Sequence, residues 1–282
     1  MKFRVLPFLA CLVAASAVSP ALAGTVGTYY LTGPQGFDAN GLNPTYSKTW
    51  VVQGDAIIRS WTNHQQFEFA IAVAGDVRTT GFLNPGLSSP AGSLYDLLGN
   101  YQGVTYQSLT LNTNDATTDG TYNYLVSVNN GPDDTGNGTV WRTNRDYTNP
   151  VALFLLPAGY EGITYDPTNN SVWVSGWYNS NVRDYSLTTG MLGTQLSQFS
   201  TGHNANLALA LDPVTQHLWL NRCDNATWTA PCTLEEWSKA GDPLSTIANT
   251  PYTFGGEIIG PEPSSFALIG AGVLALWLKR RR

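Results

Sequence analysis

The chain of 282 residues carries little charge, with only 12% Asp, Glu, Lys or Arg. It is also short of cysteine (three), methionine (two) and histidine (three). Between residues 24 and 260 there are only eight basic residues against nineteen acidic ones. A body this acidic repels phosphate backbones, which excludes nucleic acid as a partner. Several sequence patterns are missing as well. There is no G-x-S-x-G elbow, H-E-x-x-H pair, phosphate-cradling Walker loop or C-x-x-C pair, so the common signatures of hydrolases, zinc proteases, nucleotide enzymes and dithiol redox proteins are absent. No long run between residues 24 and 260 has the 3.6-residue periodicity of an amphipathic helix, which argues against an α-rich body.

What the chain does contain is glycine (28), proline (16) and aromatic residues (12%). These punctuate short β-forming runs such as FEFAIAV, TYNYLVSV, GTVWRT, VALFLL, SVWVSG, LALAL and HLWLN. Runs of this length, bounded by Gly, Asn, Asp and Pro clusters, predict an all-β barrel, sandwich or propeller. A period favours the propeller. GITYDPTNNSVWVSG from Gly162 aligns with ALALDPVTQHLWLNR from Ala208, placing Asp166 and Asp212, and likewise Trp173 and Trp219, 46 positions apart. NVRDYSL and LEEWSK then supply a third strand in each unit, the second after a longer connection. Two weaker units are expected upstream, one opening at GVTY (Gly103) and one at AIIRSW (Ala56). The remaining front and back segments, TVGTYYLTG, NPTYSKTW, WVVQG and YTFGGEII, would pair across the termini as a fifth blade. The expectation is a small propeller of about five blades, with a β-sandwich as the alternative.

The ends have a different character. Lys2 and Arg4 precede an apolar stretch and an A-x-A site ending at Ala23, before Gly24, the pattern of a secretory signal peptide over residues 1–23. At the other end Pro261-Glu262-Pro263 precedes an uncharged stretch, 264–278, and the basic cluster 279–282. By composition alone this reads as a short C-terminal transmembrane anchor with its basic end in the cytoplasm. The ordered triplet, apolar stretch and Arg-rich end closely resemble the PEP-CTERM sorting signal of Gram-negative bacteria. That resemblance implies an exosortase that recognises and removes residues 261–282, and a destination at the cell surface or in an exopolysaccharide matrix. In the body, the G-[IV]-T-Y-D-P…V-W-V-S pattern resembles NHL- and lyase-type propeller repeats. The resemblance covers two units well and implies a fold, not an activity.

With the leader removed, only Cys223 and Cys232 remain. In an oxidising compartment a close, even pair is read as a disulfide, contributing about 2.7 kcal/mol by loop entropy. Two thiols without a nearby His fall short of a zinc site. Among histidines, His203 is a candidate general base or metal ligand against a solvated loop imidazole, while His64 and His217 carry no motif. For calcium, GPDDTGNGT offers Asp133, Thr135, Asn137 and Gly138, but Asn144 stands where an EF-hand loop needs Glu. Asn112, Asn114, Asp115 and Asp119 form a second incomplete set. No catalytic residue, metal site or cofactor is therefore assigned, with calcium the one cofactor kept open. Trp173 and Trp219 are expected to pack between sheets. Trp177 and Trp228 lie among turn formers and are the candidate glycan contacts.

The sequence thus describes an exported all-β protein of 24–260, with a non-enzymatic structural or interaction role linked to exopolysaccharide. Signal peptidase and an exosortase would be its partners during export. A propeller lyase or hydrolase, or a tail-anchored periplasmic protein, are the alternatives.

Overall fold

A computed structural model describes residues 25–37, 44–83, 90–107, 112–127, 137–223 and 231–260. The described chain forms five four-stranded antiparallel sheets in a ring. Blade 1 is assembled from both ends of the body: β1 (Thr25–Phe37), β2 (Pro44–Gly54) and β3 (Ala56–Thr62) are joined by β20 (Gly255–Ile259). Blade 2 holds β4 (Glu68–Val73), β5 (Val77–Gly81), β6 (Ala91–Tyr95) and β7 (Tyr101–Gln107). Blade 3 holds β8 (Thr113–Thr118), β9 (Tyr122–Ser127), β10 (Asn137–Asn144) and β11 (Val151–Ala158). Blade 4 holds β12 (Tyr160–Asp166), β13 (Ser171–Gly176), β14 (Asn181–Ser186) and β15 (Gln195–Ser200). Blade 5 holds β16 (Asn206–Leu211), β17 (Leu218–Arg222), β18 (Cys232–Trp237) and β19 (Pro243–Thr250). The fold is an all-β, five-bladed propeller, and the sandwich alternative is excluded by the five separate sheets.

Position within a blade sets composition. The inner strands β4, β8, β12, β16 and β20 converge on the axis, so they are buried and rich in Ala, Gly and Thr. At Gly256 a Cβ would stand 2.7 Å from the Ala208 carbonyl oxygen, a contact only glycine permits. The second strands carry the large side chains that fill the gaps between blades. Trp173 meets Leu209 and Leu211 of blade 5, and Trp219 meets Tyr29, Leu31 and Ile258 of blade 1. Both indoles are buried at matching places, as the 46-residue period predicts. The outer strands are mostly exposed.

Two of the expected units were out of phase. GVTY at Gly103 lies in β7, the outer strand of blade 2, and does not open blade 3, which starts at Thr113. AIIRSW at Ala56 is β3, the outer strand of the closing blade, not part of blade 2. A G-V-T-Y run alternates equally well on an exposed edge and on the buried axis, so local pattern cannot phase it.

Candidate functional site

The inner edge of each inner strand faces the axis without a neighbouring strand, leaving backbone N–H groups to be satisfied. Asp115, on a bulge of β8, meets this need for four blades at once. Its Oδ2 accepts from the N–H of Ile163 at 3.1 Å and Leu209 at 3.2 Å. Its Oδ1 accepts from the N–H of Gly256 at 3.0 Å and from Ala116 at 2.9 Å. Complete burial pushes the Asp115 carboxyl well above its usual range, while the backbone donors pull it down. Below it, Thr117 Oγ1 accepts from Tyr165 N–H and Thr164 Oγ1 from Leu211 N–H. Side chains therefore stitch the inner strands together along the axis.

Glu257, on β20, is the second axial carboxyl. Burial pushes it up to about 8, against the Thr117 hydroxyl, the Arg145 charge and the Thr118 N–H. Its Oε2 has no hydrogen-bond partner among the described residues. Glu68 lies off the axis inside blade 2. It accepts from Thr79, Ser93, Tyr95 and the Gln65 N–H, and burial still lifts it to about 7.

The face on which the inner strands begin is covered by an aromatic cluster drawn from several blades. Phe69, Leu207, Tyr252, Phe254, Cys223 and Cys232 form its buried part, with Trp177 packed against them. The Trp177 ring lies 6.0 Å from Phe254 and 6.3 Å from Tyr252, and Tyr178 beside it is 48% exposed. The disulfide between Cys223 and Cys232 forms, with its Cα atoms 4.4 Å apart. It holds the ends of β17 and β18 against this cluster. Asn114 and Glu161, at bulges near the starts of β8 and β12, touch through Asn114 Nδ2 and Glu161 Oε2. Burial, followed by the Glu161 charge, raises the Tyr252 hydroxyl well above its usual range.

The other sequence candidates are dispersed. His203 Nε2 lies 3.0 Å from Glu235 Oε2, a carboxylate 32 positions away that no local motif reveals. Trp237 Nε1–H donates to the same oxygen, and the Arg222 guanidinium pairs with Oε1 at 2.8 Å. His217 pairs with Glu236 at 2.8 Å, and His64 stacks on Tyr101. The Asn112, Asn114, Asp115 and Asp119 set does not converge on a cation. Asn112 accepts from Leu83 N–H, Asp115 serves the axis, and Asp119 caps its turn and accepts from Tyr124. Among the described residues no group of three or more His, Cys, Asp or Glu could hold a metal ion. Trp228, Asp133, Thr135, the side chain of Asn137, Ala23, Gly24, Pro261, Glu262, Pro263 and the expected apolar stretch 264–278 lie outside the described residues.

Comparison with known proteins agrees with this picture. The PEP-CTERM protein-sorting motif family matches residues 261–282. No curated protein matches the chain. A chain in the crystal structure of a nidogen/laminin complex is similar at 13% identity, covering 82% of this chain and 98% of that one, with a TM-score of 0.50. A functionally unknown protein from Desulfotomaculum acetoxidans DSM 771 is 12% identical, with 83% and 90% coverage and a TM-score of 0.47. TolB from Acinetobacter baumannii is 15% identical, with 80% of this chain and 53% of that chain covered and a TM-score of 0.47. The likeness to the nidogen/laminin chain, at 13% identity, bears on the fold alone. The class is thus an all-β propeller with a C-terminal sorting signal. More particularly, it is an exported protein bearing the PEP-CTERM motif, which implies exosortase processing at the cell envelope of a bacterium.

Proposed function

We propose that the propeller is a non-enzymatic interaction module of the cell surface or extracellular matrix, and that the face carrying Trp177 contacts exopolysaccharide. The observation that carries this reading is the position of Trp177 and Tyr178 in an aromatic cluster at the mouth of the ring. Aromatic faces stack on the apolar face of a sugar ring, and a polar tip at the rim supplies hydrogen bonds. Trp228 is proposed as a second contact from the connection between β17 and β18, whose flanking Cys223 and Cys232 belong to the same cluster. The axial carboxyl Asp115 is occupied by four backbone donors, which weighs against a lyase or hydrolase working in the channel.

The test is retention on polysaccharide purified from the host. Trp177→Ala and Trp228→Ala are each expected to weaken retention about tenfold or more, the scale of a lost hot-spot aromatic, while leaving the β-sheet circular dichroism unchanged. Normal retention by both variants would remove the aromatic reading. Cleavage of the polysaccharide by the wild type would favour the enzymatic alternative, for which His203, 3.0 Å from Glu235, is the candidate base.

A further inference from the structure

In four of the blades, the turn between the third and fourth strands reaches back toward the preceding blade. At the junction of blades 2 and 3, Arg145 of this turn pairs with Asp76, and the buried Tyr147 donates to the Arg78 carbonyl. At the junction of blades 4 and 5, Lys239 pairs with the buried Asp166. The junction of blades 3 and 4 has no such ion pair among the described residues. Its turn reads Leu187-Thr188-Thr189-Gly190-Met191-Leu192 and has no charged residue to offer. At this junction lies a cleft of about 230 Å³ whose lining includes Leu153, Leu187 and Leu192 together with Tyr124 and Arg142.

Arg142 has no carboxylate partner among the described residues, and its guanidinium lies 4.6 Å from the centre of the Tyr122 ring. The neighbouring carboxylate, Asp119, is engaged by the Tyr124 hydroxyl and the N–H groups of Thr121 and Tyr122 and forms no ion pair with Arg142. Leu192 of the lining is 45% exposed, and Met191 beside it in sequence is 48% exposed. A planar cation in the lining of a cleft that also holds three leucines matches a carboxylate or sulfate carrying one apolar chain. The cleft is smaller than the usual 300–1,000 Å³ of drug-sized sites, so it suits a single chain rather than a fused ring system.

We propose that the cleft between blades 3 and 4 binds a single-chain anionic amphiphile, with the headgroup on Arg142 and the chain along Leu153, Leu187 and Leu192. This site lies apart from the aromatic face and does not depend on glycan binding there. The test is calorimetric titration of the protein purified from its host with decanoate, decanol and decyltrimethylammonium, each below its aggregation threshold. Decanoate is expected to bind at one site per chain, at least tenfold more tightly than either other probe. Arg142→Leu should weaken decanoate at least tenfold, and Arg142→Lys by less, with thermal melts reporting that both variants fold. Any contribution from the apolar C-terminal stretch is common to all variants and cancels in the comparison. Equal binding of the three probes, unchanged decanoate binding in Arg142→Leu, or no saturable binding would each overturn the proposal.

Discussion

Asp115 and Glu257 show how much a single axial side chain can carry. Both are carboxyls in a stretch of sequence that reads as ordinary loop or strand, and both are placed at the axis by bulged or glycine-flanked inner strands. Their titration has a definite sign. In the unfolded chain Glu257 and Glu68 lose their protons near 4.3. In the folded chain burial holds Glu257 up to about 8 and Glu68 up to about 7. The folded state therefore binds more protons across that window, and stability must fall as the pH rises through it. The melting temperature is expected to be higher at pH 5.5 than at pH 8.5, by about 5 °C or more for a body of this size. Glu257→Gln, which cannot ionise, should flatten the upper part of that slope. A melting temperature that rises between pH 5.5 and 8.5 would contradict the assignment. The Asn114–Glu161 contact and the His203–Glu235 pair make a related point, since no spacing rule reaches partners 47 and 32 positions apart.

At the scale of elements, the turns between third and fourth strands share a feature that the sequence hides. Gly99, Gly193 and Gly241 have φ of +88°, +73° and +93°, and each sits against an aromatic ring on the outer strand of the preceding blade. Those rings are Trp61, Phe154 and Phe199. A Cβ at Gly241 would come 2.5 Å from Phe199 Cβ, whereas one at Gly190, with φ +85°, meets nothing within 4 Å. Both alanine variants incur the backbone penalty of a positive φ, about 1 kcal/mol. Gly241→Ala also forces the blade contact apart and is expected to cost about 1–3 kcal/mol more. Equal urea midpoints for Gly190→Ala and Gly241→Ala would mean that this contact yields freely. The repeat is hard to see in the sequence because the glycine and its aromatic partner belong to different blades, separated by connections of unequal length.

For the whole molecule, closure depends on β20. Its pairing with β1, from Thr28 opposite Ile259 to Thr32 opposite Gly255, joins the two ends of the body and removes the open edges of the ring. The last strand ends at Ile259, and the sorting motif begins at Pro261. Pro261 has no N–H to extend a ladder, so the triplet is a natural end to the sheet. Removal of the tail near the triplet should therefore leave the ring intact. The mature protein is expected to run from Gly24 to about Pro261, to weigh two hydrogens less than the dithiol form, and to melt at the same temperature as the unprocessed body. Intact mass spectrometry of protein from the envelope and medium, paired with calorimetry, checks both points. A mass retaining Lys279–Arg282 would instead identify a tail-anchored protein and remove the main support for a matrix location.

The all-β character, the five-blade count, the closure across the termini, the disulfide and the sorting motif were all legible in the sequence. Each depends on local composition, or on a repeat preserved in phase between Gly162 and Trp219, and such signals survive without knowledge of distant neighbours. The phase of the first blades was not legible, because an alternating run such as GVTY fits an exposed outer strand and a buried inner one alike. Nor was the role of Asp115, which the sequence offered as one member of an incomplete calcium set. Four N–H groups, three of them from strands 48 to 141 positions away, turned it into the centre of the ring. The cleft at Arg142 likewise exists only where two blades meet, since its lining comes from blade 3 and from the Leu187–Leu192 turn of blade 4. Composition and period determine which strands form, while the converging geometry of the ring decides which polar groups meet at its axis and between its blades.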